Sequence, residues 1–298
     1  MGDIGLCVIL CGGFIGSFYA WPKERRFAWL CLKDLKKASE DGPHRVNRND
    51  HATIRRRLVS FVGNIAVSLL FLEYLLRLEP ENENLAWGSA VVHRLIFSED
   101  TFAQSAATVL AAGVATLVLF SGPLMEEGLS CFRFDDPVLE LRDIVVCPLG
   151  EEVFFRALLL QILKEHSTTS SIIISSVLFS LSHTHHIFSF AVGERLEAVE
   201  CGEPDADAII YWKRAAGKLA GVCACSLAYG LLGGYFYTTV CRRNLLAVVL
   251  SHSICNIMGA PPFGFVREGQ GRTRLAYAAV YVAGVVGWAL IVAGIRRR

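Results

Sequence analysis

Residues Gly150–Arg156 read Gly-Glu-Glu-Val-Phe-Phe-Arg and lie inside an apolar run, Ile144–Leu163, that is long enough to cross a bilayer as a helix. Charged side chains at that depth cost about 2.5–3.5 kcal/mol each on insertion scales. This stretch contains three charged side chains within six residues, so we expect them to form ion pairs or to have a functional role. Glu152 and Arg156 are one helical turn apart and can form an ion pair. Glu151 is rotated by about 100° from Glu152, and we expect it to face a different neighbour and to be functional.

The composition is that of a membrane protein. Of 298 residues, 53% are hydrophobic and 19% are charged, whereas ordinary soluble domains carry about 25% charged residues. The formal net charge is +1, and the sequence shows no basic patch interleaved with aromatic residues, so no nucleic-acid partner is expected. Seven of the ten cysteines lie in or beside apolar runs, where thiols pack as small hydrophobic groups.

Eight apolar runs predict an all-α, polytopic bundle of about eight transmembrane helices. They are Ile4–Trp21, Leu58–Leu76, Phe102–Met125, Ile144–Leu163, Ile172–Val192, Ala215–Val240, Leu245–Ala260 and Leu275–Ile295. The first run lacks a basic flank before it and a small-residue cleavage site after it, which indicates a retained signal anchor. The seventh is short for a full crossing and predicts a partial or tilted helix. We interpret residues 1–298 as one membrane domain with its core motifs within 144–261.

The charge distribution predicts an orientation. The loop Pro22–Arg57 is the most basic, with eleven Lys or Arg against five Asp or Glu, and the positive-inside rule makes it cytoplasmic. Counting spans from this loop puts the start of the Glu151 span on the cytoplasmic side. The Arg296–Arg298 tail opposes this scheme, because eight full spans would place it on the outer side. The polar insert Gly193–Arg214 is interpreted as a solvated cap.

Other polar side chains are embedded in apolar runs. On a helix His183 and His186 share a face, and His252 and Asn256, one turn apart, lie side by side. Asn64 is isolated in the second run, and we expect it to make an interhelical hydrogen bond.

Glu151, His183, His252 and Asn256 together suit hydrolysis of a carbonyl compound. A carboxylate shielded from bulk water can act as a general base near neutral pH. A histidine facing it could hold and orient the same water. A second histidine with an asparagine could donate hydrogen bonds to the oxyanion that forms when water attacks.

Three alternatives use the same region. His183, His252 and their neighbouring histidines could bind zinc together with Glu151, although the sequence lacks His-Glu-x-x-His. Cys255, three residues after His252, could be a thiol nucleophile. A non-enzymatic protein could use Glu151, Arg156 and the histidines as a proton relay for transport, although no internal repeat is visible.

Three motifs occur in order along the chain, each inside an apolar run. They are Glu151-Glu152-x-x-x-Arg156, Phe179-x-x-x-His183 and His252-x-x-x-Asn256. Together they resemble the signature of type II CAAX prenyl endopeptidases, which belong to the glutamate-type intramembrane proteases. Arg48-Asn49-Asp50-His51 and Cys255-Asn256-Ile257-Met258-Gly259 are similar to segments of the eukaryotic branch of that family.

The resemblance implies a multi-pass enzyme of the endoplasmic reticulum membrane whose active site is accessible from the cytosol. Such an enzyme removes the last three residues of farnesylated or geranylgeranylated CaaX proteins, such as small GTPases, without a metal or other cofactor. The prenyl chain of the substrate partitions into the membrane lipids, so the substrate would reach the site laterally.

The resemblance also implies roles by position. The residues that would activate water are Glu151 and His183, and those of the oxyanion hole are His252 and Asn256. The supporting residues would be Glu152, Arg156 and His186.

Overall fold

Helices make up most of the described part of this computed structural model, which covers residues 2–40, 45–82, 84–93, 101–128, 132, 135–202, 207–268 and 271–297. These residues contain no strand, and the all-α class is confirmed.

The chain begins with α1 (Asp3–Phe18), α2 (Pro22–Lys33), α3 (Leu35–Ser39), α4 (His51–Arg77), α5 (Ser89–Val92), α6 (Phe102–Leu119) and α7 (Ser121–Glu127). It continues with α8 (Pro137–Glu140), π1 (Leu141–Val146), α9 (Cys147–Glu151), π2 (Glu152–Leu158), α10 (Leu159–Ile162) and α11 (Thr168–Ser182), where π marks a widened helical segment. The last elements are α12 (Ile187–Glu200), α13 (Ala208–Tyr235), π3 (Phe236–Val240), α14 (Leu245–Met258), α15 (Gly264–Glu268) and α16 (Gly271–Arg297). The 3-10 segments are Pro80–Asn82 and His183–His186.

The expectation of about eight long spans exceeds what the described residues form. Four helical stretches there are long and apolar enough to cross a membrane: α4, α6, α13 with π3, and α16. The count is five if α1 and α2, which are bent by 98°, form one span. The run Ile144–Leu163 alternates between α and π turns, and Ile172–Val192 is divided by the 3-10 segment. Helix α14 has only 14 residues, as its short run predicted.

The chain divides into two compact units. The first unit comprises Met1–Val67 and Ile162–Gly234, and the second comprises Ser68–Gln161 and Tyr235–Arg298. The assignment of residues 1–298 to a single membrane domain stays a prediction.

In the first unit, the predicted basic loop is largely helical. It contains α2 and α3, whose apolar residues Phe27 and Leu30 pack in a core with Ala191 of α12 and Tyr211 of α13. The backbone N–H of Thr53 donates to Asp50 before α4, and this hydrogen bond lowers the pKa of Asp50.

Polar residues join distant parts of the first unit. Asn64 Nδ2 donates to Ser17 Oγ at 2.7 Å, which confirms the predicted interhelical hydrogen bond between α4 and α1. The prediction of a solvated cap is wrong for Glu194 and Arg195, which are only 5% and 8% exposed. The helix α12 continues through both residues, so that Glu194 meets Lys218 and Arg195 donates to a serine of α3.

Close helix packing in the first unit depends on Gly230 of α13. A Cβ added there would lie 2.9 Å from the Cβ of Ser176 and 3.1 Å from its Cα. We expect Gly230→Ala to lower the free energy of unfolding by about 1–3 kcal/mol through overpacking. Gly221→Ala on the same helix is the matched control, because a Cβ there meets nothing within 4 Å. Thermal unfolding in detergent checks both; equal midpoints for the two variants would contradict the prediction.

In the second unit, α6 and α14 pack side by side with α16 against α6. Gly113 allows the approach of Leu250, since a Cβ at Gly113 would lie 2.9 Å from Leu250 Cδ2. Two hydrogen bonds between α6 and α14 fix their relative register: Asn244 Nδ2 to Ser105 Oγ at 2.6 Å and Thr116 Oγ1 to Ser251 Oγ at 3.0 Å. The second of these bonds lies next to His252.

Candidate active site

The two glutamates lie at a change of helix geometry. Helix α9 ends at Glu151 and π2 begins at Glu152, while π1 ends just before Cys147. Pro148 lies between the two π segments, and its missing N–H removes one hydrogen bond of the regular ladder. Single widened turns inside helices are frequent at functional sites. The backbone at this motif therefore departs from the regular α-helix that the sequence predicted.

Both carboxylates meet one imidazole. His252 on α14 places Nδ1 2.8 Å from Glu152 Oε1 and Nε2 3.7 Å from Glu151 Oε2. Glu151 faces His252 rather than Arg156, as expected of a residue outside the Glu152–Arg156 pair, but the same imidazole also contacts Glu152 through its other nitrogen. Sequence spacing within one helix carries no information about an imidazole that a second helix brings.

The two glutamates differ in their access to solvent. The side chain of Glu151 is 20% exposed, whereas that of Glu152 is 0% exposed. Glu152 Oε2 also lies 3.3 Å from Arg156 Nε, and the guanidinium is itself 1% exposed. The predicted ion pair is confirmed and is fully buried. Only the first carboxylate of the pair can be reached by water or substrate.

The contact with Glu152 limits the state of the His252 ring. An ionised carboxylate accepts hydrogen bonds and cannot donate them, so Nδ1 of His252 carries a hydrogen when Glu152 is ionised. Nε2 then faces the neighbourhood of Glu151. A second hydrogen on Nε2 would make it a donor toward that open side, while Glu152 holds the ring from the buried side.

Two further side chains of α14 bind backbone carbonyls of the widened segment π1. Asn256 is exposed and donates from Nδ2 to Asp143 O at 2.8 Å, and Ser253 Oγ lies 2.6 Å from Ile144 O. Sequence reasoning missed Ser253. The three-residue spacing of Ser253 and Asn256 indicates a shared helix face, but nothing in the sequence indicates which carbonyls they meet.

His183 and His186 belong to the first unit. They are the first and last residues of the 3-10 segment between α11 and α12, and their ring centroids are 5.9 Å apart. Nδ1 of His183 lies 2.9 Å from Phe179 O. A carbonyl oxygen only accepts, so this nitrogen carries a hydrogen, and Nε2 is an acceptor when the ring is neutral.

The structure therefore assembles part of the predicted constellation. The residues that it brings together in the second unit are Glu151, Glu152, Arg156 and His252, with Asn256 one turn further along α14. The meeting of this group with His183 and His186 in one site stays a prediction.

The structure also locates the residues that the zinc-site and the thiol-nucleophile alternatives require. Within the described ranges, no group of three or more His, Cys, Asp or Glu residues is placed to hold a metal ion. Cys255 is half-buried and packs against the apolar cluster of Phe120, Ile254 and Met258. The thiol therefore occupies a packing position.

Comparison with known proteins agrees with the motifs. Residues 136–258 match the family described as "Type II CAAX prenyl endopeptidase Rce1-like". The chain is also similar to CAAX prenyl protease 2 of Homo sapiens, with 24% identity over 299 residues, covering 94% of this chain and 76% of that protein. No solved structure matches this chain. All three quoted motifs lie within the matched residues, and the resemblance that they predicted is confirmed.

Proposed function

We propose, from the match of residues 136–258 to the Rce1-like family of type II CAAX prenyl endopeptidases, that this chain is a membrane endopeptidase that removes the C-terminal tripeptide from prenylated CaaX proteins. The observation that carries the mechanism is the placement of His252 between an accessible carboxylate, Glu151, and a sealed one, Glu152. Each of the three groups then has a separate task.

Glu151 is proposed as the general base. Its partly exposed carboxylate takes a proton from a water molecule as the water oxygen attacks the scissile carbonyl carbon. The carbonyl oxygen becomes an oxyanion in the tetrahedral intermediate. When this collapses, the C–N bond breaks and the proton on Glu151 passes to the leaving amine of the tripeptide.

His252 and Asn256 are proposed as the donors that stabilise the oxyanion. The donor role requires a hydrogen on each ring nitrogen of His252: Nδ1–H would donate to Glu152, and Nε2–H would point toward the open side where Glu151 lies. Asn256 Nδ2 carries two hydrogens, and Asp143 O accepts one of them. The second is the one assigned to the oxyanion.

Glu152 and Arg156 are proposed as positioning residues. Glu152 fixes the ring orientation of His252 at 2.8 Å, and Arg156 offsets the charge of a carboxylate that has no access to water. In this proposal the two adjacent glutamates have different roles: the first acts as the base, and the second orients His252.

His183 is proposed to act with Glu151 on the attacking water. Its Nδ1–H donates to Phe179 O, so Nε2 of the neutral ring can accept a hydrogen bond from the second hydrogen of the water. His186, whose ring is 5.9 Å away, is proposed to support the orientation of His183.

The substrates proposed are farnesylated or geranylgeranylated CaaX proteins such as small GTPases. A prenyl chain gains about 0.8 kcal/mol per buried CH₂ group, so these proteins diffuse in the membrane and reach the site from the lipid. The proposed location is the endoplasmic reticulum membrane, with the site open to the cytosol.

Release of the tripeptide from a farnesylated CaaX peptide by the purified chain in liposomes tests this function. We expect cleavage that survives a strong zinc chelator and is much slower on the same peptide without the prenyl group. Loss of cleavage on chelation, restored by zinc, would favour the metalloprotease alternative. A well-folded chain that cleaves none of several CaaX peptides would favour the non-enzymatic proton relay.

Cys255→Ala is expected to leave the kcat/KM for tripeptide release within about twofold of the wild-type value, because the thiol packs in an apolar cluster and has no role in the proposed chemistry. Truncation of this half-buried thiol is expected to lower the free energy of unfolding by about 1 kcal/mol. The assay uses the same farnesylated peptide, with the thermal midpoint measured in parallel. An inactive variant with an unchanged midpoint would restore the thiol mechanism.

A further inference from the structure

Helix α2 runs across the direction of α1. The two helices are bent by 98° at the corner that contains Trp21, and α1 is strongly apolar while α2 contains five charged residues. Trp21 Nε1 donates to Ser60 Oγ of α4 at 2.9 Å and so fixes this corner. With α1 taken to run along the membrane normal, the 98° bend places α2 parallel to the membrane plane.

The inner face of α2 packs against the rest of the first unit. Phe27, Leu30 and Cys31 pack in its core, and the buried carboxylate of Glu24 pairs with Arg56 of α4 at 2.8 Å. The acidic charge in the first turn of α2 is therefore neutralised internally and does not offset the charges on the outer face.

The outer face of α2 combines large apolar side chains with cations. Trp29 is 59% exposed and Leu32 is 70% exposed. Arg25 and Arg26 are exposed one turn before Trp29, and the ammonium group of Lys33 lies 4.7 Å from the Trp29 ring centroid. The cationic surface continues on α3, where the exposed residues are Lys36 and Lys37.

We propose that the outer face of α2 and α3 binds the anionic phospholipid headgroups of the membrane. Tryptophan is favoured at the boundary between headgroups and acyl chains, and helices that lie in this boundary place lysine and arginine beside the lipid phosphates. An excess of cations adds selectivity for lipids with a net negative charge. An acidic soluble partner would account for the cations but would leave Trp29 and Leu32 in water whenever it dissociated.

This lipid-binding surface is independent of the proposed protease function, since no residue of the proposed active site lies on it. Binding can therefore be measured without an activity assay. The full chain is reconstituted in bilayers that contain brominated phosphatidylserine or brominated phosphatidylcholine in equal amounts. The contribution of Trp29 is the difference between the fluorescence quenching of the wild-type chain and that of Trp29→Phe.

We expect brominated phosphatidylserine to quench Trp29 more strongly than brominated phosphatidylcholine. In the triple variant Arg25→Gln, Arg26→Gln, Lys33→Gln, most of this preference should be lost, because each basic side chain near the surface contributes to attraction of anionic lipid. A charge-preserving triple variant, Arg25→Lys, Arg26→Lys, Lys33→Arg, should retain it. That variant and the thermal midpoints separate loss of charge from loss of fold.

The matched control removes three exposed cations elsewhere in the chain, at Lys164, Lys213 and Arg272. This control should keep the full preference for phosphatidylserine. Equal quenching by the two lipids in the wild-type chain would overturn the proposal, as would an equal loss in the control. If neither lipid quenched Trp29, α2 would lie away from the membrane, and the proposal would also be overturned.

Discussion

Replacement of Glu151 by glutamine is expected to lower kcat/KM for tripeptide release by about 10²–10⁴-fold, the range that general-base catalysis contributes. Glutamine keeps the shape of the side chain but cannot take a proton from water. Because Glu151 is 20% exposed, its charge is not needed to neutralise a sealed partner, and the fold should survive. The measurement is the rate of tripeptide release from a farnesylated CaaX peptide.

Glu165→Gln is the control for Glu151→Gln, since Glu165 is an exposed carboxylate shortly after the same helical stretch. Its activity and thermal midpoint should match those of the wild-type chain. If Glu151→Gln retained activity close to that of Glu165→Gln, the general base would have to be another group. A large fall in its thermal midpoint would instead assign Glu151 a structural role.

Local spacing predicted the contacts that depend on one helix alone. The buried pair of Glu152 and Arg156 follows from their separation by one turn, and it forms even though the intervening residues adopt a π segment. Asn64 was predicted to bond across helices because an isolated amide in an apolar run needs a partner, and it bonds to Ser17. The identity of that partner was not predictable.

Contacts that depend on two distant segments were not predictable from one sequence. His252 contacts both glutamates because α14, which follows π2 by about 100 positions in the chain, packs beside it. Asn256 and Ser253 use carbonyls of π1, and widened turns have no periodic signature in the apolar pattern. Such contacts arise from tertiary packing, which propensity and periodicity do not encode.

Charge patterning was misleading for a related reason. Glu194 and Arg195 lie in a polar stretch that is typical of a solvated surface, yet both are buried. Their partners, Lys218 and Ser39, lie on α13 and α3. Hydropathy likewise counted eight apolar runs but could not show that two of them are divided by π or 3-10 turns.

The buried pair of Glu152 and Arg156 leads to the largest expected effect on stability. Glu152→Met removes the carboxylate that faces a guanidinium with 1% exposure, and removal of one partner of a buried pair costs about 3–5 kcal/mol. Arg156→Met should cost less, because Glu152 keeps its contact with His252 at 2.8 Å. The control is Glu197→Gln at an exposed ion pair, where a change below about 1 kcal/mol is expected.

The double variant Glu152→Met, Arg156→Met separates the structural role of this pair from its catalytic role. Replacing both charges with apolar side chains of similar volume leaves neither one buried without its counterpart, so most of the stability lost in Glu152→Met should return. Activity should not return with it, because His252 still lacks the carboxylate that holds Nδ1. Chemical unfolding in detergent and tripeptide release, measured on the same preparations, test the two halves. A double variant that regained both stability and activity would mean that Glu152 serves the fold alone, and His252 would then need another group to orient it.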